Sequence, residues 1–174
     1  MAETKSHKDV QESLAVLLAK EVEAPGKIGL STLYTSAALT PEVARVFERF
    51  CGLSIDDKKD VYFIHPRRMV LQQIGPLDEF GISYSDLDAL YDAGLIRSVE
   101  ARTLNFVSDD PKEFDRIDYG GRPALFNFHE RQLDIIYFTK PGRDLRRSME
   151  LARNAPHQAA LEGKFGVNFV ANPS

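Results

Sequence analysis

Apolar positions fall into two rhythms, a helical one in the first third of the chain and an alternating one in the second half. Over 10–23, Val10, Leu14, Leu17, Leu18 and Val22 return at helical spacing, with Glu12, Lys20 and Glu23 outside, until Pro25-Gly26 stops the run. A second helix opens near Leu30-Ser31-Thr32, with Leu33 and Ala37 inward. Thr40-Pro41-Glu42-Val43 is the clearest start in the chain. Thr40 caps it, Pro41 takes the first helical position, and Val43, Val46, Phe47 and Phe50 form a stripe that Gly52 ends. These segments predict a small antiparallel helical bundle. Residues 54–60 read as a charged loop, 61–64 as a short strand, and 69–74 as a helical turn broken by Gly75-Pro76.

The pattern is densest over 81–97. Asp86 follows Ser83 at the spacing of a capping box, and Leu87, Leu90 and Tyr91 share one face. Gly94 is placed to end this helix, and Leu95-Ile96 continues as a buried strand. Beyond it, residues 103–107 alternate as a half-buried strand, and 124–128 and 133–138 are expected to pair through a polar turn at 129–132. Residues 108–123 read as a long acidic connection, with Asp118-Tyr119-Gly120-Gly121 as its tip or the start of an irregular strand. Thr139 caps a closing helix that runs toward Ala152, with Leu145 and Met149 inward. After Asn154-Ala155-Pro156 the pattern loosens, leaving Phe165, Val167, Phe169 and Val170 for a terminal strand or an arm that docks on a neighbour.

Two tokens, 87–96 (ending Ala93-Gly94-Leu95-Ile96) and 136–145 (opening Ile136-Tyr137-Phe138-Thr139), stand in the order of a winged-helix domain and resemble its second helix and its return from the wing. The fold class expected is therefore α+β, an N-terminal helical bundle followed by a winged-helix-like unit with a small antiparallel sheet. Residues 1–9 are expected to be disordered, 10–153 to form a single domain (helical over 10–60, winged-helix-like over 61–153), and 154–174 to be a C-terminal tail or docking arm. A second resemblance rests on Leu17-Leu18-Ala19-Lys20-Glu21, Ala24-Pro25-Gly26, Leu30-Ser31-Thr32-Leu33 and Thr40-Pro41-Glu42-Val43-Ala44-Arg45-Val46-Phe47. In these segments the chain resembles a bacterial family, the domain of unknown function numbered 2806, over roughly residues 10–151. The tryptophan-rich helix start of that family is missing, since the chain has no Trp. The resemblance implies a bacterial or phage source and brings no assigned chemistry.

Composition narrows the function classes. At 174 residues, with a net charge of −4, the protein has length for a real core and no global attraction for nucleic acid or anionic lipid. One cysteine, Cys51, allows no internal disulfide; beside Phe50 and Leu53 it reads as a buried structural thiol. No apolar run reaches the roughly 20 residues of a membrane helix, and the first residues lack the apolar centre of a signal peptide, so a cytoplasmic location is expected.

The candidate chemistry is sparse. His7, His65, His129 and His157 show no metal-binding spacing, the acidic run from Asp109 to Asp118 lacks a calcium-loop register, and no nucleophile elbow or phosphate loop is present. No catalytic residue, metal or cofactor is assigned, and an enzyme is not expected. A groove-reading role for the 83–93 helix is opposed by Asp86, Asp88 and Asp92, which repel phosphates. Basic residues gather elsewhere: Arg67, Arg68, Lys140, Arg143, Arg146 and Arg147 are the candidate contacts to a nucleic acid or a partner. The function expected is a non-catalytic protein-protein interaction module with self-association through its apolar tail; the alternative is a winged-helix nucleic-acid regulator using that patch.

Overall fold

The computed structural model describes residues 29–66, 77–106, 110, 112–166 and 169–170, together with Ala15, Ala19, Val22 and Glu23. Those four are helical and exposed, within the stretch that the first helical pattern marks. The elements are α1 (Leu30–Ala38), α2 (Pro41–Cys51), β1 (Ser54–Asp56), β2 (Val61–His65), a 3-10 turn (Asp78–Phe80), α3 (Tyr84–Asp92), β3 (Arg102–Phe106), β4 (Asp115–Tyr119), β5 (Arg122–Phe126), β6 (Arg131–Tyr137), α4 (Lys140–Arg146), α5 (Ala155–Phe165) and β7 (Phe169–Val170). The seven strands among the described residues join one antiparallel sheet in the order β3-β6-β2-β1-β4-β5-β7.

That sheet overturns the expected N-terminal bundle followed by a winged-helix-like unit. The segment read as a charged loop contains β1, which lies at the centre of the sheet with β2 beside it. The supposedly helical third therefore supplies the middle of the sheet. The expected pairing of β5 with β6 is also absent, because β6 lies between β3 and β2 while β5 lies between β4 and β7. The hairpin falls earlier. Gly120 and Gly121, at φ of 52° and 82°, make the two-residue turn that matches strand twist, and Tyr119 pairs with Arg122 across it. Asp115–Tyr119 of the acidic connection is thus a strand. Among the described residues no wing follows α3; the chain passes to β3 on the edge of the sheet.

Residues on β2 alternate between two cores, which explains why all five of its positions are buried. Val61 and Phe63 meet Val46, Phe47 and Phe50 of α2, Leu87 and Leu90 of α3, and Leu145 of α4. Tyr62 and Ile64 meet Ile117, Tyr119 and Phe126 from the hairpin and Leu161 and Phe165 from α5. Helices cover both faces. The stripe predicted for α2 is the one observed; α1 packs Leu33 half-buried against the first core as expected but leaves Ala37 exposed and buries Thr32 and Ser36, with Thr32 donating to Asp144 at 2.8 Å.

The 81–97 stretch folds locally as its residues dictate. Ser83 Oγ accepts from the Asp86 amide at 3.2 Å and the Ser83 amide donates to Asp86 Oδ2 at 2.8 Å, a complete capping box. At the other end the Leu95 amide donates to Leu90 O at 2.9 Å. Although the described residues form no winged helix, its two tokens do meet. Ile96 bridges Phe138, and Thr139 Oγ1 donates to Gly94 O at 2.5 Å while accepting from the Gly142 amide at 3.1 Å. Gly142 is dictated by this approach, since a Cβ there would stand 2.1 Å from Leu95 O.

α4 ends at Arg146 instead of continuing toward Ala152. A further helix, α5, then starts where the pattern had loosened, capped by Asn154, whose side chain accepts from the His157 amide at 2.9 Å. Phe165 and Phe169 enter the second core, and β7 extends the sheet beside β5. No helix among the described residues is long and apolar enough to cross a membrane.

Candidate functional site

Strand alternation sends Ile55, Ile117 and Tyr119 into the second core and leaves Ser54, Asp56, Arg116 and Asp118 for the opposite face. The β1–β4 register then sets Asp56 directly against Asp118. Like charges so placed destabilise a sheet unless a cation joins them. Arg146, at the last turn of α4 and almost fully buried, is that cation. Its Nε donates to Ser54 Oγ at 2.9 Å, its Nη2 bonds the Asp118 carboxylate, and its Nη1 lies 3.5 Å from Asp56 Oδ2. Arg147 grips Asp56 with a two-pronged fork at 2.7 and 2.8 Å and donates to Lys58 O at 3.2 Å. Burial would raise the Asp56 carboxyl, but the Arg147 fork, the Lys58 amide and the two guanidinium charges hold it below its ordinary range. The same fork raises Arg147.

The four described residues of the candidate patch therefore each face an aspartate. Besides Arg146 and Arg147, Lys140 meets Asp144 at 2.8 Å and Arg143 meets Asp60 at 2.5 Å. Arg143 and Arg147 both hold the β1–β2 turn, through its Asp60 and Asp56 carboxylates. Arg67 and Arg68 lie outside the described residues. Asp60 and Asp56 escaped sequence reasoning as partners because they stand 83 and 91 residues away from Arg143 and Arg147. Beside this cluster opens a cleft of about 490 Å³, lined by Asp56, Lys58, Arg116, Asp118, Pro123 and Arg147.

Comparison with known families assigns the chain. The family model described as "Protein of unknown function (DUF2806)" matches residues 1–162 of the 174. The chain belongs to the DUF2806 family. No curated protein and no solved structure matches it.

In this DUF2806 protein His157 is fully buried, with both ring nitrogens engaged. β1 has only three residues, so on that side the Ile64 carbonyl extends past the end of the ladder. His157 Nε2 donates to that carbonyl at 2.9 Å, which leaves Nδ1 to accept the Tyr119 hydroxyl at 2.9 Å. Burial pushes His157 down to about 4, against the pull of the Ile64 bond and with His65 adding to the fall. It is a neutral plug between Phe63 and Phe80. Cys51 is fully buried, and burial pushes its thiol well up, as expected of a structural residue. Among the described residues no three His, Cys, Asp or Glu side chains are grouped to hold a metal.

The outer face of α3 is a different kind of surface. Tyr84 and Tyr91, 55% and 51% exposed, lie two turns apart with Asp88 exposed between them. Leu87 and Leu90 hold the adjacent face in the core, so Tyr91, which spacing groups with them, stands outside it and both tyrosines ride on an anchored helix.

Proposed function

We propose that this DUF2806 protein is a non-catalytic interaction module that docks on a protein partner through the outer face of α3. The supporting observation is the exposed Tyr84–Tyr91 pair on a helix fixed at both ends by the Ser83 capping box and the Leu95–Leu90 bond. Tyrosine brings large amphipathic area with few rotatable bonds, which is why it is enriched where proteins meet. Asp88 and Asp92, exposed on the same helix, favour a basic complement on the partner and disfavour a phosphate backbone. The nucleic-acid alternative is weakened further by the aspartates that face Lys140, Arg143, Arg146 and Arg147.

The test is affinity capture from a lysate of the source cell, comparing the wild type with a Tyr84→Ser/Tyr91→Ser double variant and with Arg143→Ala. A partner retained by the wild type and Arg143→Ala but lost by the double variant is the expected result. Equal recovery by all three removes α3 as the docking face. A gel shift with duplex DNA at low salt that Arg143→Ala abolishes would replace this reading with the nucleic-acid one.

A further inference from the structure

We propose that the cleft beside the β4–β5 hairpin binds a phosphate-bearing small molecule, with Lys58, Arg116 and the outer edge of Arg147 as its phosphate subsite. The site shares no residue with α3 and stands or falls independently of the docking reading.

Charge is the first argument. Four cations, Lys58, Arg116, Arg146 and Arg147, stand in or behind this cleft against two carboxylates, Asp56 and Asp118. Among the lining side chains and Arg146 two positive charges are left over, in a protein whose net charge is −4. Arg146 and one edge of Arg147 are engaged, yet Lys58 and Arg116 make no ion pair among the described residues, and Arg147 Nη1 makes no hydrogen bond there. Arginine donors and a lysine point charge converging on one cleft suit a phosphate dianion better than a single carboxylate.

Backbone strain is the second. Lys58 holds a left-handed backbone at φ 73°, a conformation that costs a lysine about 1–2 kcal/mol. Its amide is fixed to Asp56 Oδ1 at 2.8 Å and its carbonyl to Arg147 at 3.2 Å. The aspartate–arginine pair that lines the cleft thus also sets the backbone of a cleft lysine. Strain of this kind gathers at ligand sites.

Size and surroundings choose among anions. A cleft of about 490 Å³ is within the range of small-ligand pockets and offers the Pro123 ring as an apolar surface for the organic part. A polyanion would also meet Asp57 and Asp60, in the same turn as Lys58. Such neighbours repel a long phosphate backbone while leaving room for a single phosphate group.

The test is a titration of the full chain, followed by amide NMR in low-salt buffer, with inorganic pyrophosphate and separately with a nucleoside monophosphate. Shifts centred on residues 56–58, 116–124 and 147 are expected with both, and tighter binding of the monophosphate shows that the organic part is held too. Arg116→Ala should weaken binding about tenfold or more, whereas Arg102→Ala on the far edge strand should leave it unchanged. Three results would overturn the proposal: no shifts at ~10 mM of either probe, where even weak specific sites fill; equal losses in the two variants; or shifts spread over unrelated lysines. Binding of pyrophosphate without the monophosphate would overturn the assignment to an organic phosphate.

Discussion

Asp56 and Asp118 stand opposite each other on neighbouring strands, and the buried guanidinium of Arg146 reaches both. Replacing Arg146 with Met leaves two carboxylates facing each other with one cation withdrawn. Breaking a buried pair in this way costs about 3–5 kcal/mol, and the lower end applies because Asp118 keeps some contact with water. A urea unfolding curve should show the loss as a lower midpoint. Adding Asp118→Asn to Arg146→Met should restore part of it; an unchanged midpoint in Arg146→Met would show that the bridge does not stabilise the sheet.

His157 makes stability depend on pH in a narrow window. Its folded value is depressed from 6.5 to about 4, so the unfolded chain takes up the proton first. The contribution is whole above the unfolded value, is lost as pH falls from 6.5 toward 4, and changes no further below that. Its size is about 3 kcal/mol. Asp56 acts in a separate range, since its folded value lies below 3.8. Guanidinium unfolding at steps between neutral and pH 4.5 should show the fall in the wild type and a much flatter profile in His157→Gln. Identical slopes in the two would refute the neutral plug.

Gly142→Ala tests the close approach of α4 to the turn after α3. A Cβ would lie 2.1 Å from Leu95 O, and backbone cannot step aside as a flexible side chain can. The change should destabilise by about 2–3 kcal/mol, a drop of several degrees in the thermal midpoint for a chain of this length. Gly163→Ala, where the added carbon meets nothing within 4 Å, should be neutral or slightly stabilising and serves as the control.

How far the fold could be read from the chain depended on the range of the forces involved. The Ser83–Asp86 box, the Thr40 cap and the Val46-Phe47-Phe50 stripe are local, and they formed as their spacing requires. β1 was illegible because Ser54-Ile55-Asp56 is three residues long and two of them are polar; its partners, not its propensity, make it a strand. α5 was hidden by its composition, since Ala155, Ala159 and Gly163 are exposed and only His157, Leu161 and Phe165 mark the inner side. The arginines of α4 were visible as charge, but their engagement with Asp56, Asp60 and Asp118 depends on a register the sequence does not display.

Cys51 should report global unfolding. Its side chain is fully enclosed and its thiol is pushed well above the ordinary range by burial, so little thiolate exists in the native protein near pH 8. Reaction with a thiol reagent should be slow in native buffer and rise in step with denaturant unfolding monitored by circular dichroism. Rapid labelling without denaturant would mean that α2 opens locally at its C-terminal end.

The order of the strands in space also sets the order of events during synthesis. β1 and β2 leave the ribosome early but are flanked in the finished sheet by β4 and β6, which are made much later. Until those arrive, the central pair is a short hairpin exposing Val61, Phe63 and Ile64, an unstable and adhesive state. Folding must close long loops before the sheet rewards it, so this protein should fold slowly for its size and be most vulnerable to aggregation while its last third is still unmade.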